Sequence, residues 1–280
     1  MREVAVHNIT ESIASGCIEV CTQLPRDVYE ALCSACLTES NPTAVSVLGQ
    51  LVENADIARD ENVPICQDTG LMVVFIDIGQ NVHITGGYLA DAVNEGVRQG
   101  YAQGYLRKSI VSHPLARVNT NDNTPAVIHT NIVPGDGLTI WLVPKGGGCE
   151  NMSVAKVLKP SDGVEGVVKY IVDTVIQGGS NPCPPIIVGV GLGGTLEQAA
   201  ILSKRAILRS IGSINPKEID ADLESRLMTE VNKTNVGPSG YGGDTTALAV
   251  FVESYPCHIA SLPVAVTIQC HAARHKVIEL

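Results

Sequence analysis

The 280-residue chain has few aromatic residues: two Phe, one Trp and seven Tyr. Its core must therefore be built from Val, Ile, Leu and Ala. No Lys/Arg-rich run occurs, and the formal net charge is −10. Phosphate backbones repel such a chain as a whole, so nucleic acid is not expected as a partner. No window approaches 18 consecutive apolar residues, and no membrane span is expected. The opening MREVAVHNITESIASGC lacks a basic region followed by an apolar core, which argues against a secretory signal. Internal repeats, low-complexity tracts and a clear interdomain linker are also missing.

What is present is globular in texture, with 45% hydrophobic and 17% charged residues and 27 glycines for turns. A cytoplasmic location is expected. There, stable disulfides are rare, so the nine cysteines read as core thiols, metal ligands or catalytic groups. The segments DVYEALCSACLTE and NPTAVSVLGQLVENADIARDEN carry apolar residues at helical spacings, with Pro42 near a helix start. LMVVFIDIG (71–79) reads as a buried strand, and 86–106 as a helix. The polar stretch 107–125 reads as a loop. AVIHTNIV and GLTIWLV, joined through Pro134-Gly135-Asp136-Gly137, read as a hairpin. SDGVEGVVKYIVDTVIQGG predicts a helix with a Ser161 N-cap and a glycine stop. A strand IIVGVGLGG, two helices and two further strands complete the reading. The fold class is mixed α/β (α+β). N-terminal helices over about 1–62 precede a mixed-sheet body over about 63–280 with flanking helices, in one domain.

Cys17, Cys21, Cys33 and Cys36 lie in helical text, where a thiol behaves as a small buried hydrophobe. No second CxxC completes a zinc site with Cys33 and Cys36. Cys66 in PICQDTG, Cys183 in NPCPP and Cys270 in IQCHAARH lie instead in loops at strand ends, where functional groups gather. Their spacing matches no metal rule, and Cys149 and Cys257 compete for the same role. A Cys–His dyad is disfavoured for Cys257–His258 and Cys270–His271, because adjacent strand residues face opposite ways. Gly189-Val190-Gly191-Leu192-Gly193-Gly194 matches GxGxxG between a strand and a helix. It comes late in the chain, and 201–213 lacks the acidic residue a dinucleotide fold needs, so a tight strand–helix turn is the alternative.

The segments PICQDTG, KGGGCENMS, GSNPCPP, GVGLGGT, KTNVGPSGYGG and PCHIASLPVAVTIQCHAARH, in this order over residues 64–275, resemble the α subunit of class I, iron–sulfur-dependent fumarate hydratases and the related tartrate dehydratases. The resemblance implies a 4Fe–4S cluster held by Cys66, Cys183 and Cys270, with one iron lacking a cysteine ligand and acting as a Lewis acid. It assigns Asp68 to proton transfer, His258 to catalysis at a substrate-contacting position, and Gln67 and Arg107 to substrate binding, with Gly147 and Gly148 offering backbone N–H groups. Arg107 read without it is a solvated helix-end charge, and Asp68 a turn cap. Cys149 stands where the family pattern has serine. The family's single-chain members continue into a second domain, so a separate β subunit and a higher oligomer are expected. The expected reaction is reversible hydration of fumarate to malate, with tartrate dehydration as the alternative. A nucleotide-binding module and an iron–sulfur electron carrier are the readings outside the hydro-lyases.

Overall fold

The computed structural model describes residues 2–280. The chain divides into two compact units, one of residues 1–25, 55–147 and 274–280, the other of 26–54 and 148–273. Helices α2 (Arg26–Thr38) and α3 (Pro42–Glu61) follow α1 (Val6–Thr22), with Pro42 opening α3 as the sequence suggests. The chain leaves one unit for the other within α3.

In the first unit a short strand β1 (Arg2–Ala5) pairs in parallel with β3 (Val82–Thr85). The main sheet centres on β2 (Leu71–Gly79), which matches the apolar run read from sequence. Helix α4 (Leu89–Gln103) packs on α1. The contact is close because Gly96 and Gly100 have no Cβ: one added there would lie 2.8 Å from the Thr10 carbonyl oxygen and 2.6 Å from that of Ala14.

Strands β4 (Val127–Val133) and β5 (Leu138–Lys145) do not form the expected hairpin. β2 lies between them, parallel to β4 and antiparallel to β5. The cause is burial: β2 is apolar on both faces and needs a neighbour on each edge, whereas β4 is largely exposed and fits an edge. The connection 134–137 arches over the end of β2, where Gly79 donates to the Gly137 carbonyl at 2.8 Å and Asn81 to that of Gly135 at 2.9 Å. A Cβ on Gly79 would sit 2.7 Å from the Gly135 oxygen, so only glycine lets this crossing close. The C-terminal strand β10 (Lys276–Glu279), which the sequence pattern did not reveal, covers the other edge of β5.

A helical turn α5 (Gly147–Glu150) leads into the second unit. Its sheet runs β6 (Val154–Leu158), β9 (Leu262–Gln269), β7 (Ile186–Gly193), β8 (Ala247–Tyr255). Helix α6 (Gly163–Gly178) stops at Gly179, at φ 51°, as expected. Its start differs from the Ser161 N-cap: Ser161 lies inside a 3-10 turn, and the Asp162 carboxylate reaches back to the Lys159 N–H at 2.9 Å. Ile186, Val188 and Val190 face α6 and α8 (Glu218–Asn232) in one apolar cluster. Gly189 and Gly191 point to the other face, against α7 (Leu196–Ala206). A Cβ at Gly191 would meet the Ala199 carbonyl oxygen at 1.9 Å, and one at Gly189 the Ser203 oxygen at 2.2 Å. These two GxGxxG glycines therefore serve helix–sheet contact, in line with the tight-turn reading. Tyr101 is the single aromatic among the fully buried members of the two cores, which are otherwise Val, Ile, Leu and Ala with Met72 and two cysteines. Among the described residues no helix is long and apolar enough to cross a membrane.

Gly191→Ala should lose about 3 kcal/mol or fail to fold, because the α7 backbone must move. Gly49→Ala, in the middle of α3 with nothing within 4 Å of the new carbon, should gain about 1 kcal/mol. Urea denaturation of both variants measures the contrast.

Candidate active site

In the first unit, residues 65–70 form a loop whose backbone is read from behind. The Asp68 carbonyl accepts from Arg274 Nη2 at 3.0 Å. The Thr69 carbonyl accepts from the Tyr101 hydroxyl at 2.7 Å, and that of Gly70 from Tyr101 at 3.0 Å and from Asn123 Nδ2 at 3.1 Å. Arg274, Tyr101 and Asn123 are all buried. Three consecutive carbonyls thus turn inward, and Cys66, Gln67 and Asp68 turn outward, Gln67 exposed and the other two half-buried. Gly70 ends the loop at φ 79°, where a Cβ would lie 2.8 Å from the Lys145 nitrogen.

The Asp68 carboxylate accepts the Gly70 N–H on Oδ1 at 3.0 Å and the Gly147 N–H on Oδ2 at 2.8 Å. It caps its own turn, as the residue type allows, and it also fixes the glycine run. Gly147 therefore spends its N–H on Asp68, whereas the sequence reading gave that N–H to substrate. The Asp68 N–H donates to Cys66 Sγ at 3.4 Å. Arg107 lies beside the loop, its carbonyl accepting from Thr69 Oγ1 at 3.1 Å. Its guanidinium is exposed and, among the described residues, bonds to no side chain. Asn123 takes part through the 107–125 loop, where Asp122 holds the backbone N–H of Thr124 at 3.0 Å. Burial opposes charge on Asp122, but the Thr124 N–H and hydroxyl and the Arg98 guanidinium bring its carboxyl down to about 2.

In the second unit, Cys183 is exposed, at φ 55° between Pro182 and Pro184. Its carbonyl accepts the His271 N–H at 3.3 Å and lies 3.0 Å from His271 Nδ1. The residue following Cys270 is thereby joined to Cys183, so these two predicted ligands are brought together. Gly148 is exposed, and a Cβ there would meet the Asn181 oxygen of the same loop at 3.2 Å. His258 stands on an exposed turn, its Nδ1 accepting the Ala260 N–H at 3.1 Å. A neutral ring therefore carries its proton on Nε2. Cys149 is buried, with its sulfur 3.6 Å from Gln269 Oε1. Cys257 Sγ is 3.3 Å from the Ser261 carbonyl.

All nine cysteines are thiols rather than disulfides. Cys17 and Cys21 are core residues, and burial pushes both up, Cys21 to about 11. Cys66, Cys183, Cys257 and Cys270 are the accessible or half-accessible thiols in loops, and Cys66 already receives a backbone N–H. Thiols so placed suit thiolate ligation. Among the described residues no three His, Cys, Asp or Glu side chains gather as a single-ion site.

The KTNVGPSGYGG loop supports Cys183 from behind: Ser239 donates to the Pro184 carbonyl at 2.8 Å. That loop ends on Glu39, whose carboxylate accepts the N–H groups of Asp244 and Thr245 at 2.9 Å and of Ser40 and Asn41 at 3.1 Å. Sequence reading missed Glu39, because nothing just past the end of α2 signals a partner two hundred residues away. Arg274, Tyr101 and Asn123 were missed too. Arg274 alone left a trace, as a cation following two alanines beside the third loop cysteine.

Loop thiols, with an acid and an amide beside one of them, on a mixed α/β body are the make-up of the class I iron–sulfur hydro-lyases, in their α subunits. The family described as Fumarate hydratase (Fumerase) matches residues 10–279, and the chain belongs to it. A relative from Methanocaldococcus jannaschii, provisionally named L(+)-tartrate dehydratase subunit alpha, is 41% identical over 92% of this chain and 93% of its own. The L(+)-tartrate dehydratase subunit alpha of Escherichia coli K12 is 34% identical over 98% of this chain and 91% of its own, as is that of Shigella sonnei.

Burial opposes ionisation of Glu39, but the N–H groups of Asp244, Asn41 and Thr245 outweigh it and hold the carboxyl below its ordinary value. A depressed carboxyl stabilises fully above the unfolded value, near about 4.3, and loses that contribution as pH falls through the folded one. The stability gap between wild type and Glu39→Gln should be on the order of 1–3 kcal/mol at neutral pH. It should shrink below about pH 4.3. Urea titrations from neutral to acid pH test it; a gap independent of pH would contradict it.

Proposed function

We propose that this chain is the α subunit of an iron–sulfur hydro-lyase that removes water from L-tartrate together with a separate β subunit. The relatives' names support tartrate and a subunit partner. They weigh against the sequence-based expectation of fumarate, which the family description keeps as the second reading. The observation that carries the assignment is the loop 65–70, which presents a thiol, an amide and a carboxylate from one rigid turn.

Cys66, Cys183 and Cys270 are the proposed ligands of a 4Fe–4S cluster. When bound, such a cluster with one iron free of thiolate supplies Lewis acidity toward a departing hydroxyl. The chain's own residues address the other difficulty, the weak C–H acid. Asp68 accepts the proton from the carbon adjacent to the C–O bond, held in place by Gly70 and Gly147. Arg107, with its open guanidinium, binds a substrate carboxylate in the bidentate manner its planar fork allows. Gln67 and the Nε2–H of His258 donate to substrate oxygens, and Gly148 lines the approach without a side chain. Hydroxide is a poor leaving group and carboxylates oppose carbanion formation, so catalysis needs both halves.

Cys66→Ser, Cys183→Ser and Cys270→Ser should each abolish the visible iron–sulfur absorption of the anaerobically reconstituted chain. Cys33→Ser and Cys36→Ser should spare it, and the reverse pattern would refute the ligand set. The reconstituted chain alone should show little or no turnover. Adding its β subunit should give dehydration of L-tartrate in preference to L-malate, and a preference for malate would restore the fumarate reading.

A further inference from the structure

We infer that Arg274 is a positioning residue of the Cys66 loop that also supplies the positive charge balancing the anionic group Cys66 holds. Its side chain is 2% exposed, and one N–H, on Nη2, holds the Asp68 carbonyl at 3.0 Å. Nε and Nη1 are buried and have no acceptor. Among the described residues no carboxylate pairs with this guanidinium. A buried charge with empty donors is costly until an anion reaches it.

The neighbouring groups of its own unit do not provide that anion. Burial keeps the Cys21 thiol and the Tyr101 phenol protonated, the first pushed up to about 11 and the second well above its ordinary value. The Asp68 carboxylate is taken by the N–H groups of Gly70 and Gly147. Arg274 and Cys66 both lie within electrostatic reach of Cys21. The open donors of Arg274 thus stand behind the loop that carries Cys66, and the group proposed to bind at Cys66 would supply the missing negative charge. The inference rests on the reading that Cys66 is a cluster ligand. A fixed cation close to such a group would slow its loss and favour its reduced, more negative state.

The test uses the full chain reconstituted anaerobically with ferrous iron and sulfide, following iron loss to a chelator and the midpoint potential. Arg274→Gln should lose iron about tenfold faster than wild type. Its potential should fall by the equivalent of a tenfold change in the reduced-to-oxidised ratio, about 59 mV for one electron. Arg274→Lys, which keeps the charge but loses the planar fork, should recover most of the potential. Tyr101→Phe removes the hydroxyl donor shared by two carbonyls of the same loop without removing charge, and its potential should stay at that of wild type. If Arg274→Gln does not fold, Arg274→Met replaces it as the neutral variant. A potential unchanged in the neutral variant, or shifted equally in Tyr101→Phe, overturns the inference and leaves the cofactor reading standing. A wild-type chain that takes up no iron overturns the cofactor reading first, and this one with it.

Discussion

Three consecutive carbonyls, those of Asp68, Thr69 and Gly70, are held from inside by Arg274, Tyr101 and Asn123. The outward placing of Cys66, Gln67 and Asp68 depends on that interaction. A loop whose carbonyls face inward presents its side chains outward by default, because the backbone has no other freedom left once Gly70 takes a positive φ. The donors come from distant parts of the chain: a helix, a polar loop and the segment after the last strand-end cysteine. Each donor is buried, so its own alternative partners are few, and the loop cannot relax without leaving several polar groups unsatisfied.

The second unit reaches a similar result by other means. Cys183 sits between two prolines at a positive φ, with the Ser239 N–H on one side of its loop and His271 on the other. Glu39 anchors the far end of the supporting loop through backbone N–H groups alone. A carboxylate serving as acceptor for four backbone donors does in this loop what a helix N-cap does at a helix start. In both units the candidate side chains are ordinary, and what sets them apart is the backbone groups that stand behind them.

Much of this was legible in the sequence, and the boundary of legibility has a physical cause. β2, α3, α4, β7 and β8 were readable because local periodicity and burial agree in them. The loop positions of Cys66 and Cys183 were readable because proline and glycine mark turns, and that of Cys270 because the apolar strand pattern stops there. The β4–β5 hairpin was misread because the turn between them has good hairpin chemistry, and strand order is decided by which strand must be buried. β1, β3, β6 and β10 are short and half-exposed, so their apolar pattern is too brief to register. Arg274, Tyr101 and Glu39 act through backbone atoms far along the chain, and beyond the position of Arg274 beside Cys270 the side-chain pattern carries no trace of such contacts. The choice between tartrate and fumarate lies outside local pattern altogether.

The crossing of residues 134–137 over the end of β2 also governs how the chain assembles. β4 and β5 cannot zip together as a local hairpin and offer their edge later, since the connection closes around a strand made some fifty residues earlier. β2 emerges first during synthesis and must wait, its apolar length unpaired, until both later strands arrive on either side. That long-range closure is slow compared with hairpin formation, and the waiting strand is the stretch of the first unit most exposed to wrong partners.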